Sequence, residues 1–348
     1  MKISRIAAAA VAMTALAAPS FTSDACTRVI YEGKDSLRVV ARSLDWKTPI
    51  PTNLYVYPAG MAKQGSSDAA HGINWVSKYG AVYAVGYDGG VTEGMNEKGL
   101  VVNGLFCKGT VYNAPADNGK PLISMAMFVA WMLDTCETAQ EVADLVKDHN
   151  FQIEGATFDG GTVSTLHWGV TDAQGNSRII EFDQGEVRIY DPGDKLAMTN
   201  DPQWPSMNAI IDYWDKIGGQ HALPGTVSSP DRCVRANYFA HRVEATADAD
   251  LAVAIARSVI VPSCVPYTYL IPGEPNVSST QWRSYANLRD RRYYFEIVTN
   301  PGYYYVDLTK CDLKPGSPVL KLDTSNSADL GGDITKKLKK SAPFTPMY

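Results

Sequence analysis

The sequence predicts an α+β fold, in which antiparallel strands form sheets and helices pack on the faces of those sheets. Three short strands separated by turn residues make a meander over residues 164–191. A pair of helical segments is predicted over residues 121–149, and further helices are predicted at 206–217 and 248–260. Strands in runs and helices in blocks are typical of α+β proteins. No G-x-G-x-x-G stretch follows a strand, so a dinucleotide-binding fold is not supported.

Local patterns place other elements along the first half of the chain. Residues 37–46 and 101–106 have the composition of strands, and residues 94–100 form a turn before the second of them. Thr138 and Glu141 make a capping-box signature, which predicts where the second helix of the pair begins.

The second half of the chain carries weaker signals. Ser229 followed by Pro230 predicts an N-cap and the start of a helix. Residues 282–308 predict a single aromatic-rich hairpin. The tail from Lys314 onward contains several lysines, which favour a solvated surface segment.

The overall composition argues against nucleic acid as a partner. The chain has 348 residues, of which 45% are hydrophobic and 20% are charged, and its net charge is −5. Such a composition is typical of soluble globular enzymes. The basic residues form no stripe in the sequence, so there is no electrostatic footprint for binding DNA or RNA.

The N-terminus has the pattern of a secretory signal peptide over residues 1–25. Two basic residues precede a short apolar run at residues 6–18, which is too short to span a bilayer. The small residues Ser23 and Ala25 occupy the −3 and −1 positions for cleavage before Cys26. We therefore expect a secreted or periplasmic protein without a membrane anchor.

Cleavage at this position would make Cys26 the first residue of the mature chain. An N-terminal cysteine carries a thiol with a pKa of about 8.5 and an α-amino group with a pKa of about 7.7–8.0, so it holds both a nucleophile and a base. No catalytic histidine is then needed, and His167, within a predicted strand, is expected to hydrogen-bond in the core.

Two other interpretations of Cys26 stay open at this point. The residue could anchor a lipid in a binding protein, although Ser23 and Asp24 are unfavourable at the −3 and −2 positions of a lipoprotein signal. It could also be a buried cysteine close to a cleavage site elsewhere. Five further cysteines show no C-x-x-C spacing, so a structural zinc site is not predicted, and their disulfide state stays open.

Several features follow one another in a defined order along the chain. The first is a cysteine at the cleavage site, Cys26, and it is followed by an R-x-x-D pair, Arg42 with Asp45. An N-E-K-G-L segment at residues 96–100 comes next. A T-N pair, Thr199 with Asn200, and an arginine in a predicted helix, Arg232, complete the set. Together they resemble the choloylglycine hydrolase family, the N-terminal-nucleophile hydrolases that include penicillin V acylases and conjugated bile acid hydrolases.

The resemblance implies a role for each matching residue. Cys26 would attack an amide carbonyl, and Arg42 would lie beside its thiol. Asp45 would hold the α-amino group, and Arg232 would complete the charged network around this carboxylate. Asn200 would donate its amide to the oxyanion. The alternative for Arg42 and Asp45 is a surface ion pair. Residues three apart on one strand point to opposite faces, so the spacing disfavours such a pair.

Three neighbouring residues point to the Gram-negative penicillin V acylase branch of the family. Phe106 stands where bile-acid-hydrolysing members tend to have asparagine, so it could donate only its backbone N–H to the oxyanion. Asn103 would support the site from the preceding part of that strand. Trp46 would form an apolar wall for the acyl group, with a role in the core as the alternative.

The resulting hypothesis is an exported cysteine amidase that hydrolyses a linear, non-peptide amide. It would resemble penicillin V acylases, with N-acyl homoserine lactones as further candidate substrates. The alternatives are a conjugated bile salt hydrolase and, in another class, a binding protein lipidated at Cys26. The resemblance implies a single four-layer αββα domain over residues 26–348, no metal or organic cofactor, a small-molecule amide substrate, and a homotetramer.

Overall fold

The structure is a computed structural model, and it describes most of the chain from Cys26 onward. The described residues are 26–112, 116, 118–147, 150–157, 163–219, 221–272, 278–300 and 302–348. The predicted signal peptide lies outside these residues. No helix among them is long and apolar enough to cross a membrane.

Two large sheets form the centre of the described structure. The first contains β1 (Cys26–Glu32), β2 (Arg38–Trp46), β14 (Ala197–Met198), β15 (Ser279–Asn287), β16 (Arg292–Ile297), β17 (Tyr304–Asp307) and β19 (Gly332–Asp333). The second contains β3 (Thr52–Tyr57), β6 (Ala81–Gly86), β7 (Gly90–Asn96), β8 (Val101–Phe106), β11 (Leu166–Thr171), β12 (Ser177–Asp183), β13 (Glu186–Tyr190), β18 (Leu320–Leu322) and β20 (Lys339–Lys340).

The strand orders are β14-β1-β2-β15-β16-β17-β19 and β13-β12-β11-β8-β7-β6-β3-β18-β20. Two small two-stranded sheets lie outside them, and their strands are β4 (Ala62–Gln64) with β5 (Asn74–Val76), and β9 (Leu122–Ser124) with β10 (Gln152–Glu154). Neighbouring strands of the large sheets are antiparallel, except that β17 and β19 are parallel.

Helices cover the outer face of each large sheet. They are α1 (Met125–Thr135), α2 (Ala139–Lys147), α3 (Trp204–Ile217), α4 (Ser229–Ala240) and α5 (Ala249–Ile260). The helices α4 and α5 pack on β1 and β2, α3 packs on α4, and α1 and α2 pack on the second sheet. The inner faces meet where β1 and β2 contact β8. The predicted α+β fold, a four-layer αββα sandwich, is confirmed.

This layering explains why β1 and β2 are buried along almost their whole length. An antiparallel strand with one face in water alternates between buried and exposed residues. Here helices cover one face and the second sheet covers the other, so polar side chains on either face are buried too. The residues that the sequence analysis singled out on these strands therefore lie inside the protein.

The helix predicted over residues 121–149 is partly wrong. Its first residues form β9, which pairs in parallel with β10, and α1 begins only after Ser124, whose hydroxyl accepts from the N–H of Ala126. The Thr138 side chain caps α2 as predicted, by accepting from the N–H of Glu141 at 3.1 Å. His149, near which the second helix was expected to end, lies outside the described residues.

The N-E-K-G-L segment joins β7 to β8 and anchors both to α1. The strand β7 continues to Asn96, so the turn is shorter than the predicted 94–100. The Asn96 side chain accepts from the N–H of Leu100 at 3.1 Å and donates to the carbonyls of Leu133 and Cys136 at 2.8 Å. The motif thus fixes where β8 begins.

Two expectations for the last third of the chain are wrong. Residues 282–308 form parts of three strands, because the chain also turns at 288–291, where Arg291 has a φ of 57° without a glycine to mark the turn. The tail from Lys314 is not wholly solvated, since β18 pairs with β3 and Phe344 packs against Tyr55.

All six cysteines are free thiols.

Candidate active site

Cys26 begins β1, an interior strand of the first sheet, and its thiol lies beside a pocket. The residue is only 4% exposed, and its Sγ lies 3.6 Å from Nη2 of Arg42. Cys26 pairs with Leu44 of β2, and β14 flanks the other edge of β1. The position of the thiol is therefore set by paired strands and not by a loop.

Arg42 and Asp45 lie three residues apart on β2, so their side chains leave opposite faces of the strand. Arg42 enters the space between the sheets, where Nη2 donates to the carbonyl of Gly104 at 3.0 Å. Its guanidinium carbon also lies 4.6 Å from a ring centre of Trp282. Arg42 and Asp45 are both buried, so the alternative of a surface ion pair is wrong.

The carboxyl group of Asp45 is buried with an incomplete set of hydrogen-bond donors. Ser43 donates to Oδ2 at 3.3 Å, whereas Oδ1 has no donor among the described residues. Burial raises the pKa of Asp45 to about 6, and the positive charge of Arg232 offsets only part of that effect. The group can therefore accept one further hydrogen bond.

The side-chain amide of Asn200 links the start of β1 to α4. Its Oδ1 accepts from the backbone N–H of Cys26 at 2.7 Å and from Nη2 of Arg232 at 2.8 Å. Because arginine can only donate, these contacts fix which amide atom is the oxygen. The Nδ2 group donates to the carbonyl of Phe106 at 2.7 Å, which leaves its second N–H for an acceptor in the site.

Arg232 ties the helical layer to the backbone of the nucleophile strand. Its Nη1 donates to the carbonyl of Cys26 at 2.7 Å and to Oγ1 of Thr27 at 2.6 Å, and its Nε donates to the carbonyl of Val227 at 2.8 Å. The residue is completely buried. These contacts hold the first residues of β1 against α4.

The predicted N-cap at Ser229 is wrong by one residue, and the reason lies in the site. The cap of α4 is Ser228, and Pro230 occupies the second helical position. The Ser229 hydroxyl instead accepts from the backbone N–H of Asn200 at 2.9 Å and bonds to Oγ1 of Thr199 at 2.9 Å. Ser229 therefore holds the T-N pair in place, a role that the local sequence pattern does not reveal.

Asn103 lies behind Arg42 rather than at the thiol. Its Oδ1 accepts from Nε of Arg28 at 2.8 Å, and its Nδ2 donates to Glu93 at 3.1 Å. Glu93 in turn lies 3.3 Å from Nη1 of Arg42. Asn103 thus supports the site through Glu93, from the second sheet.

Glu93 is a further residue whose role the sequence pattern does not reveal. Its carboxylate is fully buried on β7 and also accepts from the hydroxyls of Ser284 and Tyr293, the latter at 2.5 Å. With Asn103, these hydroxyls supply three hydrogen-bond donors to a single carboxylate, and Arg42 adds an ion pair at 3.3 Å. A glutamate as the one charged residue of a strand with apolar residues and glycines on both sides is the signal that could have identified it.

A mainly apolar pocket opens beside Cys26. Its volume is about 710 Å³ counted out to its open mouth, which is within the range of small-molecule sites. Trp46 and Phe106 line it and meet edge to face, with ring centres 5.5 Å apart. Further apolar side chains of the lining are Leu44, Ile50, Val91, Met125 and Leu166. Trp46 therefore lies at the pocket wall, at the margin of the core.

Comparison with known proteins identifies the family. Residues 26–330 match the family model of the linear amide C–N hydrolases, choloylglycine hydrolase family. The chain belongs to this family. It is therefore a hydrolase that acts on the carbon–nitrogen bond of linear amides, as the sequence resemblance predicts.

Individual members of the choloylglycine hydrolase family resemble the chain to different degrees. The penicillin V acylase of Pectobacterium atrosepticum is 32% identical and aligns with 96% of this chain and 95% of its own. The solved penicillin V acylase from Agrobacterium tumefaciens superposes with a TM-score of 0.84 at 35% identity, covering 92% of this chain and 99% of its own. A bile salt hydrolase/transferase of Clostridium perfringens is 28% identical over 51% of this chain and 54% of its own.

The structure thus brings Arg42, Asn200 and Arg232 into contact with Cys26 at the start of β1. Arg42 contacts Cys26 directly, whereas Asn200 and Arg232 contact its backbone. Phe106 contributes its carbonyl to Asn200, and its backbone N–H as an oxyanion donor stays a prediction.

Replacing Glu93 with glutamine tests whether this carboxylate positions Arg42. The E93Q side chain must turn an NH₂ group toward groups that are themselves donors, so Arg42 loses its ionic partner. A displacement of about 1 Å in a catalytic group can reduce the rate about 100-fold. We expect kcat for a linear amide to fall about 10- to 100-fold.

The matched control is E186Q, which changes an exposed glutamate on β13 and should leave kcat unchanged. Circular dichroism and thermal unfolding establish that each variant is folded. A folded E93Q protein with the kcat of the unmodified protein would contradict the positioning role.

The raised pKa of Asp45 predicts a pH-dependent stability in a chain that keeps Ala25 joined to Cys26. Between the usual pKa of about 4 and the folded value of about 6, the folded state retains a proton that the unfolded chain has lost. Ionisation of Asp45 therefore lowers the free energy of unfolding as the pH rises through this window. Relative to D45N, the protein should lose about 2 kcal/mol between pH 4 and pH 7.

Urea unfolding of both proteins at the two pH values measures this difference, because contributions from other groups cancel in the comparison. Parallel stability curves for the two proteins would show that Asp45 titrates at its ordinary pKa.

Proposed function

We propose that the protein is an exported cysteine amidase in which Cys26, freed as the N-terminal residue, is the nucleophile. One observation carries the proposal: the Cys26 thiol lies 3.6 Å from Arg42 beside an apolar pocket, while Asn200 and Arg232 bind its backbone. Membership of a family of linear amide hydrolases supplies the reaction class.

In the proposed first half-reaction, the Cys26 sulfur attacks the amide carbonyl of the substrate. The α-amino group takes the thiol proton directly or through water, and later gives a proton to the departing amine. The second N–H of Asn200 stabilises the oxyanion, together with the backbone N–H of Phe106. Expulsion of the amine leaves an acyl thioester on Cys26.

In the second half-reaction, water attacks the thioester and the acid is released. The same α-amino group accepts the proton of the attacking water, and the proton returns to the sulfur as the thioester bond breaks. Asp45 has an unfilled acceptor atom, Oδ1, which suits it to receive an N–H from the freed amine. Arg232 lies close enough to compensate the charge of this carboxylate.

The chemistry of the pocket favours an acyl group that is apolar and flat or chain-like. The rings of Trp46 and Phe106 offer faces and edges to an aromatic acyl group, and the remaining wall is largely aliphatic. Two relatives that align with almost the whole chain, at 32% and 35% identity, are penicillin V acylases. We therefore infer penicillin V-like amides as the preferred class, and long-chain N-acyl homoserine lactones as a second class.

A conjugated bile salt hydrolase is the second candidate, supported by the Clostridium perfringens relative over about half of the chain. Phe106 in the pocket argues against it. Hydrolysis of penicillin V, a long-chain acyl homoserine lactone and glycocholate, compared side by side, decides between these classes. The homotetramer that the family resemblance implies is part of the same proposal.

The variant C26S tests the nucleophile. Serine has nearly the same shape but is far less nucleophilic at neutral pH, so activity on the best substrate of the panel should fall by at least about 1000-fold. The melting temperature, measured in parallel, establishes that the fold is retained. Substantial turnover by C26S, or inactivity of the unmodified mature protein on every amide, would overturn the proposed mechanism.

Maturation of the N-terminus has a separate test. We expect the exported protein to have the intact mass of residues 26–348 without modification. A form that retains Ala25 should be inactive, because its amine is then part of a peptide bond. A diacylglyceryl adduct on Cys26 would contradict the enzyme proposal and favour a lipid-anchored binding protein.

A further inference from the structure

His167 lies near the start of β11, close to the site but without contact with the thiol. Its side chain is almost completely buried. The ring Nδ1 lies 3.0 Å from Oε1 of Glu181, and Nε2 lies 2.7 Å from the backbone carbonyl of Thr199. No step of the proposed reaction uses this buried, titratable ring.

The partners of the ring define its protonation state. A carbonyl oxygen can only accept a hydrogen bond, so Nε2 carries a proton. Nδ1 faces a carboxylate that already accepts from the N–H of Trp204, and imidazole is more basic than a carboxyl group. Both ring nitrogens of His167 therefore carry hydrogen, and the ring is an imidazolium paired with Glu181.

The surrounding charges are consistent with this state. Burial by itself would lower the pKa of His167, but Cys107 and Glu181 raise it well above its usual value. The Cys107 thiol also faces Asp201, with Sγ 3.9 Å from Oδ1. Cys107, His167 and Glu181 have the composition of a metal site, but both ring nitrogens are occupied by hydrogen bonds, so the geometry fits an ion-pair network.

The network holds the turn that carries Asn200. His167 fixes the Thr199 carbonyl, and Ser229 fixes the next N–H, that of Asn200. Farther along the turn, Asp201 accepts from the backbone N–H groups of residues 108 and 109 at 2.7 Å. Glu181 accepts from the N–H that begins α3. The backbone on both sides of Asn200 is thus bound to the second sheet or to α4.

We propose that His167 and Glu181 are positioning residues for the oxyanion donor Asn200. The charged ring holds the Thr199 carbonyl, and this contact orients the next side chain toward Cys26 and Phe106. A charge-assisted donor makes the contact stronger than a neutral hydrogen bond. The inference rests on the proposed function only in the role that it gives Asn200.

A double-mutant cycle tests the proposal on the mature enzyme. H167F removes the donor to Thr199 and leaves a ring of similar size. We expect kcat to fall about 10-fold or more with KM within about twofold, because substrate binding does not use this contact. In an N200A background, where the positioned group is absent, H167F should reduce kcat further by less than about threefold.

Controls separate positioning from general damage to the fold. H241F changes an exposed histidine at the end of α4 and should leave kcat unchanged. H167Q can still donate to the Thr199 carbonyl, so it should retain more activity than H167F. Equal proportional losses from H167F in both backgrounds would overturn the positioning role.

A spectroscopic measurement covers the case in which H167F does not fold. In the unmodified protein, ¹⁵N-labelled His167 should show a proton on both ring nitrogens at pH 7.5, and a neutral tautomer there would overturn the proposal. Full activity of N200A would instead contradict the proposed oxyanion donor, and with it the proposed function. The two failures are therefore distinguishable.

Discussion

The centre of this structure depends on one buried group, the carboxylate of Glu93. Arg28 and Arg42 lie directly opposite each other on β1 and β2, and like charges in that arrangement repel. Both are buried, and burial lowers the pKa of Arg28 to about 10 even though Glu93 raises it. Glu93 pairs with Arg42 and reaches Arg28 through Asn103. Without it, two cations would lie between the sheets with their charge uncompensated.

The active-site geometry consequently depends on three layers of the fold at once. The first sheet supplies Cys26 and Arg42, the second sheet supplies Glu93, and the helical layer supplies Arg232. Each layer contacts the nucleophile strand through hydrogen bonds to buried polar groups, which are costly to leave unpaired. Close packing is needed as well: a Cβ atom on Gly169 would lie 2.9 Å from Cδ of Arg28. Specificity can therefore vary at the pocket wall while these contacts stay fixed.

The sequence predicted the fold class. The order of residues along the chain is itself a family pattern, and it indicated that Arg42, Asn200 and Arg232 lie with Cys26. It did not predict the supporting residues Glu93 and Ser229, for a physical reason. Glu93 and Ser229 act through partners far away in the sequence, and local pattern reports only near neighbours. Buried strands also lose the alternation that reveals a strand. The turn before Arg292 was missed because no glycine or proline marks it, and the tail was missed because a few apolar residues such as Phe344 secure it.

The place of β1 between β2 and β14 has a consequence for how the chain is built. The hairpin of β1 and β2 joins residues close in sequence, so it can form early. The other edge of β1 pairs with β14, so that pairing forms only after Met198 has been made. Arg232, which closes the helical side, emerges from the ribosome later still. Until Met198 is made, one edge of β1 is thus open to other chains. Cys26, near the beginning of the chain, is therefore among the last residues to be enclosed.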